Sequence, residues 1–197
     1  MKKLTTFLAI LLLVISIPSF AQDKTEKPKE PIKPALLVID IQKAFMPMMS
    51  SDKEMAMEYI NALIDLFHKQ GYPVIRVYHT SEEYGVTPGT EGFEYPETVK
   101  ILPTDPKVLK TYADGFNKTE LEKVIKATGS NTLFLCGLSA VGCVLATWNG
   151  AQNNDYKAFM VKNAIISHNA EYTKNVEQMF DAVTYDVVKL IIGNAGK

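Results

Sequence analysis

The sequence predicts a single α/β domain built on a parallel β-sheet. Strand-like and helix-like segments alternate six times, and no short polar turn joins two neighbouring strands as a hairpin. Residues 36–39 and 133–136 are wholly apolar runs, as expected for strands that are buried on both faces. This alternation places helices on both faces of the sheet. In such sheets, functional residues collect at the carboxyl ends of the strands.

Length and composition fit one ordinary globular domain. The chain has 197 residues, of which 47% are hydrophobic and 22% charged, and its formal net charge is −1. This length is sufficient for one sizeable core. No basic patch or acidic run indicates nucleic-acid binding, so we expect no nucleic acid as a partner.

The first 34 residues are typical of an export signal followed by a spacer. Two lysines precede an apolar run at residues 7–17, and Ala21 completes a small-x-small cleavage pattern. Because the run is short for a membrane span, we expect signal-peptide cleavage near Ala21, export to a periplasm or beyond, and no stable membrane anchor. Residues 22–34 are charged and proline-rich, which predicts a disordered linker before a domain at residues 35–197.

The predicted elements follow one another in a simple order. Six strands cover residues 36–39, 74–78, 107–110, 133–136, 157–161 and 182–183. Five predicted helices separate or follow the strands. The first begins after a capping box of Ser51 and Glu54 and ends at Gly71, and the second runs from a cap at Asn117 or Thr119 to Ala127. The other three run from about Cys143 to Asn153, over residues 171–180, and from a Thr184 cap to Ile192. Residues 80–106 form a long loop, and a loop of this length usually covers a site or binds a ligand.

Three chemically distinct side chains lie at the ends of three predicted strands. Asp40 follows the first strand, Lys110 ends the third, and Cys143 follows the fourth, so all three are expected on one rim. The unpaired amides and the dipole at a helix start predict a lowered pKa for the Cys143 thiol, which would make it a nucleophile. The structural alternatives are a small core cysteine, a capping aspartate and a surface lysine.

The two cysteines are not expected to form a disulfide. An exported protein with two cysteines invites that interpretation. However, Cys136 is predicted inside a central strand and Cys143 on the following helix. Their β-carbons are not expected to approach to the ~4 Å that a disulfide requires, so we predict two free thiols.

The same residues carry a resemblance to a known family. The three motifs are Leu37-Val38-Ile39-Asp40-Ile41-Gln42, then Lys110 followed by Gly115-Phe116-x-x-Thr119-x-Leu121, and then Gly137-x-x-x-x-x-Cys143-Val144-x-x-Thr147. In this order, over about residues 34–192, the chain resembles the isochorismatase-like cysteine hydrolases, which include nicotinamidases and other amidohydrolases. The resemblance implies a six-stranded parallel sheet of order 3-2-1-4-5-6, in which the first and fourth strands are neighbours.

The resemblance also implies a catalytic triad of Asp40, Lys110 and Cys143. Cys143 would attack a carbonyl carbon to form a thioester, Asp40 would carry the proton, and Lys110 would pair with Asp40. The family further implies an oxyanion hole from the backbone amides of Ser139 and Cys143, with a cis peptide bond between Leu138 and Ser139. The implied activity is cofactor-free hydrolysis of a C–N (amide) bond in a small molecule.

Departures from the family pattern bear on the metal and the substrate. Nicotinamidase-like members have Asp-x-His and a further histidine after the second strand, whereas this chain has Val77-Tyr78-His79 and no second histidine in the loop. We therefore expect no zinc or manganese site. Isochorismatase itself lacks the cysteine, so Cys143 favours an amide substrate. A hydrolase of esters or vinyl ethers and a non-catalytic small-molecule-binding protein remain alternatives.

Aromatic side chains near the first two strands are candidates for substrate binding. Phe45, Tyr78, His79 and Tyr84 lie in or beside segments that face the rim, although ordinary packing would also explain them. His168 is interpreted as a helix cap or a rim residue. The path of the long loop and the oligomeric state, which could be a homo-oligomer as is common in the family, are left open by the sequence.

Overall fold

The fold is described here from a computed structural model that covers residues 30–50 and 52–195. The predicted signal peptide, most of the predicted linker and the Ser51 of the predicted capping box lie outside the described residues. The first strand begins at Pro34, two residues before its predicted start at Leu36. In the described part of the chain, no helix has the length and apolar character needed to cross a membrane.

The described residues contain one five-stranded parallel sheet. Its strands are β1 (Pro34–Ile39), β2 (Val74–His79), β3 (Lys107–Lys110), β4 (Thr132–Leu138) and β5 (Lys157–Ile166), in the order β3-β2-β1-β4-β5. Each neighbouring pair is parallel, as the alternating pattern predicted. β1 and β4 lie side by side at the centre, with Ile39 opposite Gly137, so the segments that follow these two strands emerge next to each other.

The prediction of a sixth strand at residues 182–183 is wrong for the described structure. Val183 forms only an isolated parallel bridge to Val161 at the edge of the sheet. Val183 lies in a short link between two helices, and Thr184, the next residue, already caps the second helix. Two residues are too few for a continuing ladder, whereas β5 is twice as long as predicted.

Among the described residues, five helices connect and cover the strands. They are α1 (Lys53–Lys69), α2 (Leu121–Thr128), α3 (Leu145–Asn153), α4 (Ala170–Met179) and α5 (Tyr185–Asn194), and short helical turns lie at Met46–Met48, Glu91–Phe93 and Ala140–Val144. The Thr184 hydroxyl accepts a hydrogen bond from the Val187 amide at 3.4 Å, as its predicted capping role requires. Of the two predicted caps for α2, Thr119 accepts from the Leu121 amide at 3.1 Å, but the residue at the N-cap position of α2 is Glu120.

The core lies in two layers, one on each face of the sheet. β1 is completely buried, and its alternate side chains point to opposite layers, as the pleat of a strand requires. One layer contains the apolar faces of α1 and α5, and the other contains those of α2, α3 and α4. Both cysteines are free thiols. Burial raises the pKa of Cys136, which lies in the first layer and is therefore chemically inert.

The long loop of residues 80–106 returns to the sheet and packs on it. The Tyr95 hydroxyl lies 2.8 Å from the Val38 carbonyl oxygen and 2.7 Å from that of Val77. Its ring stacks on Tyr78 with a centroid distance of 4.1 Å. These contacts fix the loop near the carboxyl ends of β1 and β2, the edge at which function was predicted.

Candidate active site

Asp40 and Lys110 form a buried ion pair at the carboxyl edge of the sheet. Asp40 directly follows β1 and Lys110 is the last residue of β3, and both are at most 2% exposed. The Lys110 Nζ lies 2.7 Å from the Asp40 Oδ2. Asp40 has a φ of 52°, a conformation that few non-glycine residues adopt, and it turns the chain out of the sheet at this point. The structure therefore brings together two of the three predicted catalytic residues.

The Lys110 ammonium has an acceptor for each of its three protons. Besides Asp40, it lies 3.3 Å from His79 Nδ1 and 3.3 Å from the Tyr112 carbonyl oxygen. An ammonium group has three donors and no acceptor, so these contacts fully satisfy it despite its burial. The cation is thus held in one position beside Asp40.

Cys143 completes the cluster from the segment after β4. It lies in the π-helical turn Ala140–Val144, where the Val144 amide donates to the Ser139 carbonyl oxygen at 3.1 Å. The Cys143 Sγ, a ring nitrogen of His79 and a carboxylate oxygen of Asp40 all lie within 4.8 Å of one another. All three predicted catalytic side chains therefore meet at one place.

One oxygen of Asp40 is poised to accept a proton. Oδ2 is held by Lys110, whereas the buried Oδ1 has no partner of normal hydrogen-bond geometry within the described part of the chain. Burial raises the pKa of the Asp40 carboxyl, and the Lys110 charge opposes this shift without cancelling it. A carboxylate with a raised pKa is a stronger base, so the arrangement can take a proton from the neighbouring Cys143 thiol.

The prediction of a lowered thiol pKa is wrong. Burial, followed by the negative charge of Asp40, raises the pKa of Cys143 to about 12. The sequence pattern placed Cys143 on the first turn of a helix, but α3 begins only at Leu145 and the thiol faces a carboxylate. In the resting state the cluster therefore holds a neutral thiol beside a carboxylate, and proton transfer must accompany nucleophilic attack.

This resting state predicts the titration of the thiol. We expect no Cys143 thiolate in the wild-type protein between about pH 6 and pH 8, because its pKa lies well above this range. Asp40→Asn removes the neighbouring negative charge and should shift thiolate formation to lower pH. The measurement is ultraviolet thiolate absorbance against pH, with Cys143→Ala as the subtracted control. An inflection below pH 8 in the wild-type protein would contradict the resting state described here.

The donor set at this cluster does not suit a metal ion. Asp40, His79 and Cys143 could each offer one ligand atom. However, the Lys110 ammonium already contacts both Asp40 and His79, so a divalent cation bound there would lie beside a buried positive charge. The contacts of Lys110 with Asp40 and His79 instead favour a role of this cluster in proton transfer.

A cavity of about 400 Å³ opens onto Asp40, His79 and Cys143. Its walls include Phe45, Met48 and Met49 after β1, His79 and Tyr84 at and after the end of β2, Ser139 and Cys143 after β4, and His168 after β5. The rings of Phe45, His79 and Tyr84 pack against each other with centroid distances of 6.1, 6.2 and 6.4 Å. Three of the four predicted substrate-binding side chains therefore line this cavity.

Tyr78, the fourth predicted substrate-binding residue, does not line the cavity. Its side chain is 1% exposed and lies in the core between Tyr95 and Phe93. Successive residues of a strand point to opposite faces, so Tyr78 and the adjacent His79 cannot both face the cavity. The prediction of Tyr78 as a substrate-binding residue is wrong for this reason.

The sequence prediction missed several cavity residues. Met48 and Met49 follow β1, and their position after a strand end was the signal that could have found them. His168 follows β5 and lines the cavity, where its ring packs edge-on against Tyr172 with a centroid distance of 5.5 Å. Asn169, rather than His168, caps α4 by accepting from the Glu171 amide at 2.8 Å.

Gln42 fixes the end of β2 relative to the end of β1. Its Nε2 donates to the His79 carbonyl oxygen at 2.9 Å, and its Oε1 accepts from the His79 amide at 2.8 Å. The buried Gln42 amide thus makes the two hydrogen bonds with the His79 backbone that a neighbouring strand would otherwise make. Gln42 therefore orients His79 rather than Asp40.

Residues of the second and third motifs bind the two catalytic segments together. The Gly115 amide, shortly after Lys110, donates to the Thr147 hydroxyl at 2.9 Å. A β-carbon at Gly150 would lie 2.2 Å from the Asp114 Oδ1, so this glycine allows the segment after β3 to pack closely on α3. The motifs thus specify how the Lys110 segment packs on the helix that follows Cys143.

The peptide bond between Leu138 and Ser139 is cis, as the family resemblance implied. It joins the end of β4 to the turn that carries Cys143. Ser139 and Cys143 both line the cavity.

The fold and this cluster define a class of protein: a parallel α/β domain with a carboxylate, an ammonium and a thiol at its functional edge. Residues 34–189 match the Isochorismatase domain family, and the chain belongs to this family of hydrolases. An uncharacterised isochorismatase family protein of Bacillus subtilis, YddQ, is 32% identical over 136 residues, which cover 66% of this chain and 76% of the relative.

Solved structures share the fold. A cysteine hydrolase from Pseudomonas syringae pv. phaseolicola has a TM-score of 0.72 at 20% identity, and the match covers 85% of this chain and 98% of that chain. The N-carbamoylsarcosine amidase from Thermoplasma acidophilum has a TM-score of 0.67 at 24% identity, with 78% and 95% covered. These likenesses establish the architecture of the domain.

Proposed function

We propose that this protein is a cysteine-dependent hydrolase that cleaves the C–N (amide) bond of a small molecule through a thioester acyl-enzyme. The observation that carries the proposal is the position of the Cys143 thiol beside Asp40, whose Oδ1 lacks a partner and whose Oδ2 is held by Lys110. Membership of a hydrolase family supports it, as does the shared fold with proteins described as a cysteine hydrolase and an amidase.

In the first half of the reaction, the enzyme is acylated. Cys143 Sγ attacks the substrate carbonyl carbon while Asp40 Oδ1 accepts the thiol proton. Asp40 then gives this proton to the departing nitrogen, the C–N bond breaks, and ammonia or an amine leaves. Lys110 keeps its positive charge throughout and holds the carboxylate in position.

In the second half, water releases the acyl group. Asp40 accepts a proton from a water molecule as the water oxygen attacks the thioester carbon, and the proton returns to the Cys143 sulfur when the C–S bond breaks. In both halves negative charge develops on the substrate oxygen. We assign its stabilisation to the backbone amides of Ser139 and Cys143, whose residues border the cavity.

The cavity favours an uncharged acyl group. Apolar and aromatic side chains form most of its wall, and the described residues that line it include no lysine or arginine. The carboxylate in the wall is that of Asp40, which is already paired with Lys110. A substrate carboxylate would therefore be removed from water without a compensating cation, which is costly.

A panel of small amides in matched pairs tests the proposal. Each pair consists of a neutral amide and the same molecule with an added carboxylate, and ammonia or amine release is measured for both. We expect kcat/KM to be at least about tenfold higher for the neutral member, because the charged one must be desolvated. Mass spectrometry of the rapidly quenched reaction should show the acyl group on the peptide that contains Cys143.

Two outcomes would contradict this assignment. Formation of an acid or alcohol from esters or vinyl ethers, with no nitrogen released from any amide, would show that the C–N bond is not the target. Nitrogen release without an adduct on Cys143, under conditions that trap acyl-enzymes in other cysteine hydrolases, would exclude the covalent mechanism.

A further inference from the structure

We propose that His79 is a positioning residue for the reaction: its neutral imidazole accepts a hydrogen bond from Lys110 at Nδ1 and thereby fixes the ammonium against Asp40. This inference rests on the proposed function and gives His79 a different role from the substrate contact that the sequence indicated. It is carried by three features of the structure: the contact with Lys110, the anchoring of the His79 backbone, and the packing of its ring.

The contact with Lys110 is specific. The His79 Nδ1 lies 3.3 Å from the Lys110 Nζ, and the remaining acceptors of this ammonium are Asp40 Oδ2 at 2.7 Å and the Tyr112 carbonyl oxygen at 3.3 Å. Removing the imidazole would take one of these three acceptors away from a buried cation. Such a cation is expected to move toward other acceptors, and its hold on Asp40 would weaken.

Two kinds of contact hold the His79 side chain in place: hydrogen bonds to its backbone and packing of its ring. Gln42 bonds both the amide and the carbonyl oxygen of the His79 backbone, which fixes the root of the side chain. The ring packs between Phe45, at a centroid distance of 6.1 Å, and Tyr84, at 6.4 Å. A ring that is anchored in this way can impose its position on Lys110.

The chemistry of the contact also fixes the protonation state of His79. Because an ammonium only donates, Nδ1 must be unprotonated and Nε2 must carry the proton. The titratable groups that face the ring are Asp40 from the end of β1, Lys110 from β3, Cys143 from the turn after β4 and Tyr84 from the loop. Burial and the Lys110 charge lower the pKa of His79, and Asp40 only partly opposes them, so the ring is neutral at pH 7.

The first test needs no substrate and is therefore independent of the proposed function. The chain contains three histidines, so their ring nitrogen signals can be assigned in NMR spectra with the variants His68→Gln and His168→Gln. We expect His79 to be neutral at pH 7 with its proton on Nε2, and we expect Lys110→Met to shift its Nδ1 signal while leaving that of His68 in place. A charged ring, or a proton on Nδ1, would overturn the proposal.

The second test separates positioning from substrate contact. His79→Leu should lower kcat by roughly 10- to 100-fold with KM little changed, because an acceptor for a charged donor is lost. His79→Asn places an amide oxygen near the position of Nδ1 and should restore most of kcat. Met48→Ala, which changes another side chain of the cavity wall, should instead raise KM.

The opposite pattern would assign His79 to substrate binding alone. In that case His79→Leu would raise KM, leave kcat intact, and resemble Met48→Ala. If no amide is hydrolysed by the wild-type protein, the proposed function fails, and the NMR measurement still decides whether His79 accepts from Lys110.

Discussion

Cys143→Ala is expected to abolish turnover, lowering kcat/KM by at least about 10⁴-fold, because the proposed acyl-enzyme forms on the Cys143 sulfur. The side chain lost is small and only partly buried, so the variant should fold and still bind substrate. Initial rates on the best amide of the panel measure the loss of activity, and thermal unfolding measures the retention of the fold. Residual activity above about one hundredth of the wild-type value would exclude Cys143 as the nucleophile.

Cys136→Ala is the matched control for this experiment. Cys136 is completely buried in β4, on the core side of the same strand that leads to Cys143, and its thiol contacts the Leu37 carbonyl oxygen at 3.5 Å. It is remote from the proposed proton transfers, so its variant should keep near wild-type activity with a modest loss of stability. Asp40→Asn, in contrast, should lose activity nearly as severely as Cys143→Ala, because it removes the proton acceptor.

Gly137→Ala is expected to prevent folding or to destabilise the protein by more than about 4 kcal/mol. Gly137 has a φ of 114°, and a β-carbon there would lie 2.1 Å from the Ile39 carbonyl oxygen and 2.8 Å from the Ile39 nitrogen. These atoms belong to the backbone of β1 at the centre of the sheet and cannot move aside. Because Asp40 follows Ile39 directly, any shift that relieves the clash would also displace the catalytic carboxylate.

Gly193→Ala provides the control for the backbone effect. Gly193 lies in α5, and nothing lies within 4 Å of a β-carbon built on it. Alanine favours the helix there and should stabilise the protein by up to about 1 kcal/mol. Urea unfolding of both variants measures the difference, and similar stabilities for the two would contradict the steric argument.

Several features of the site could be predicted because they depend only on local pattern. Asp40, Lys110 and Cys143 each follow or end a predicted strand, and parallel strands carry such residues to one edge. The same argument extends to His168, interpreted from the sequence as a helix cap or a rim residue, and to Met48, which was not predicted; both line the cavity. The sequence offered no way to rank these positions, since a capping or packing role would produce the same pattern.

Other features depended on distant parts of the chain. Tyr78 and His79 are adjacent aromatic residues at the end of β2, and only the packing of the loop, through Tyr95, decides which of them is buried. The segment at residues 182–183 has strand-like composition. Because helices lie close on either side, it forms only a single β-bridge, from Val183 to Val161.

The sequence by itself predicted the parallel α/β domain, the family and the edge of the sheet at which Asp40, Lys110 and Cys143 meet. Periodicity and the order of elements are properties of neighbouring residues, so a single chain suffices to read them. Only the tertiary structure decided the state of those side chains. The thiol pKa of about 12, the Asp40 Oδ1 without a partner among the described residues and the contact between Lys110 and His79 arise where segments remote in sequence exclude water from the same small volume. Electrostatic interactions depend on distance and burial, which the order of residues does not specify.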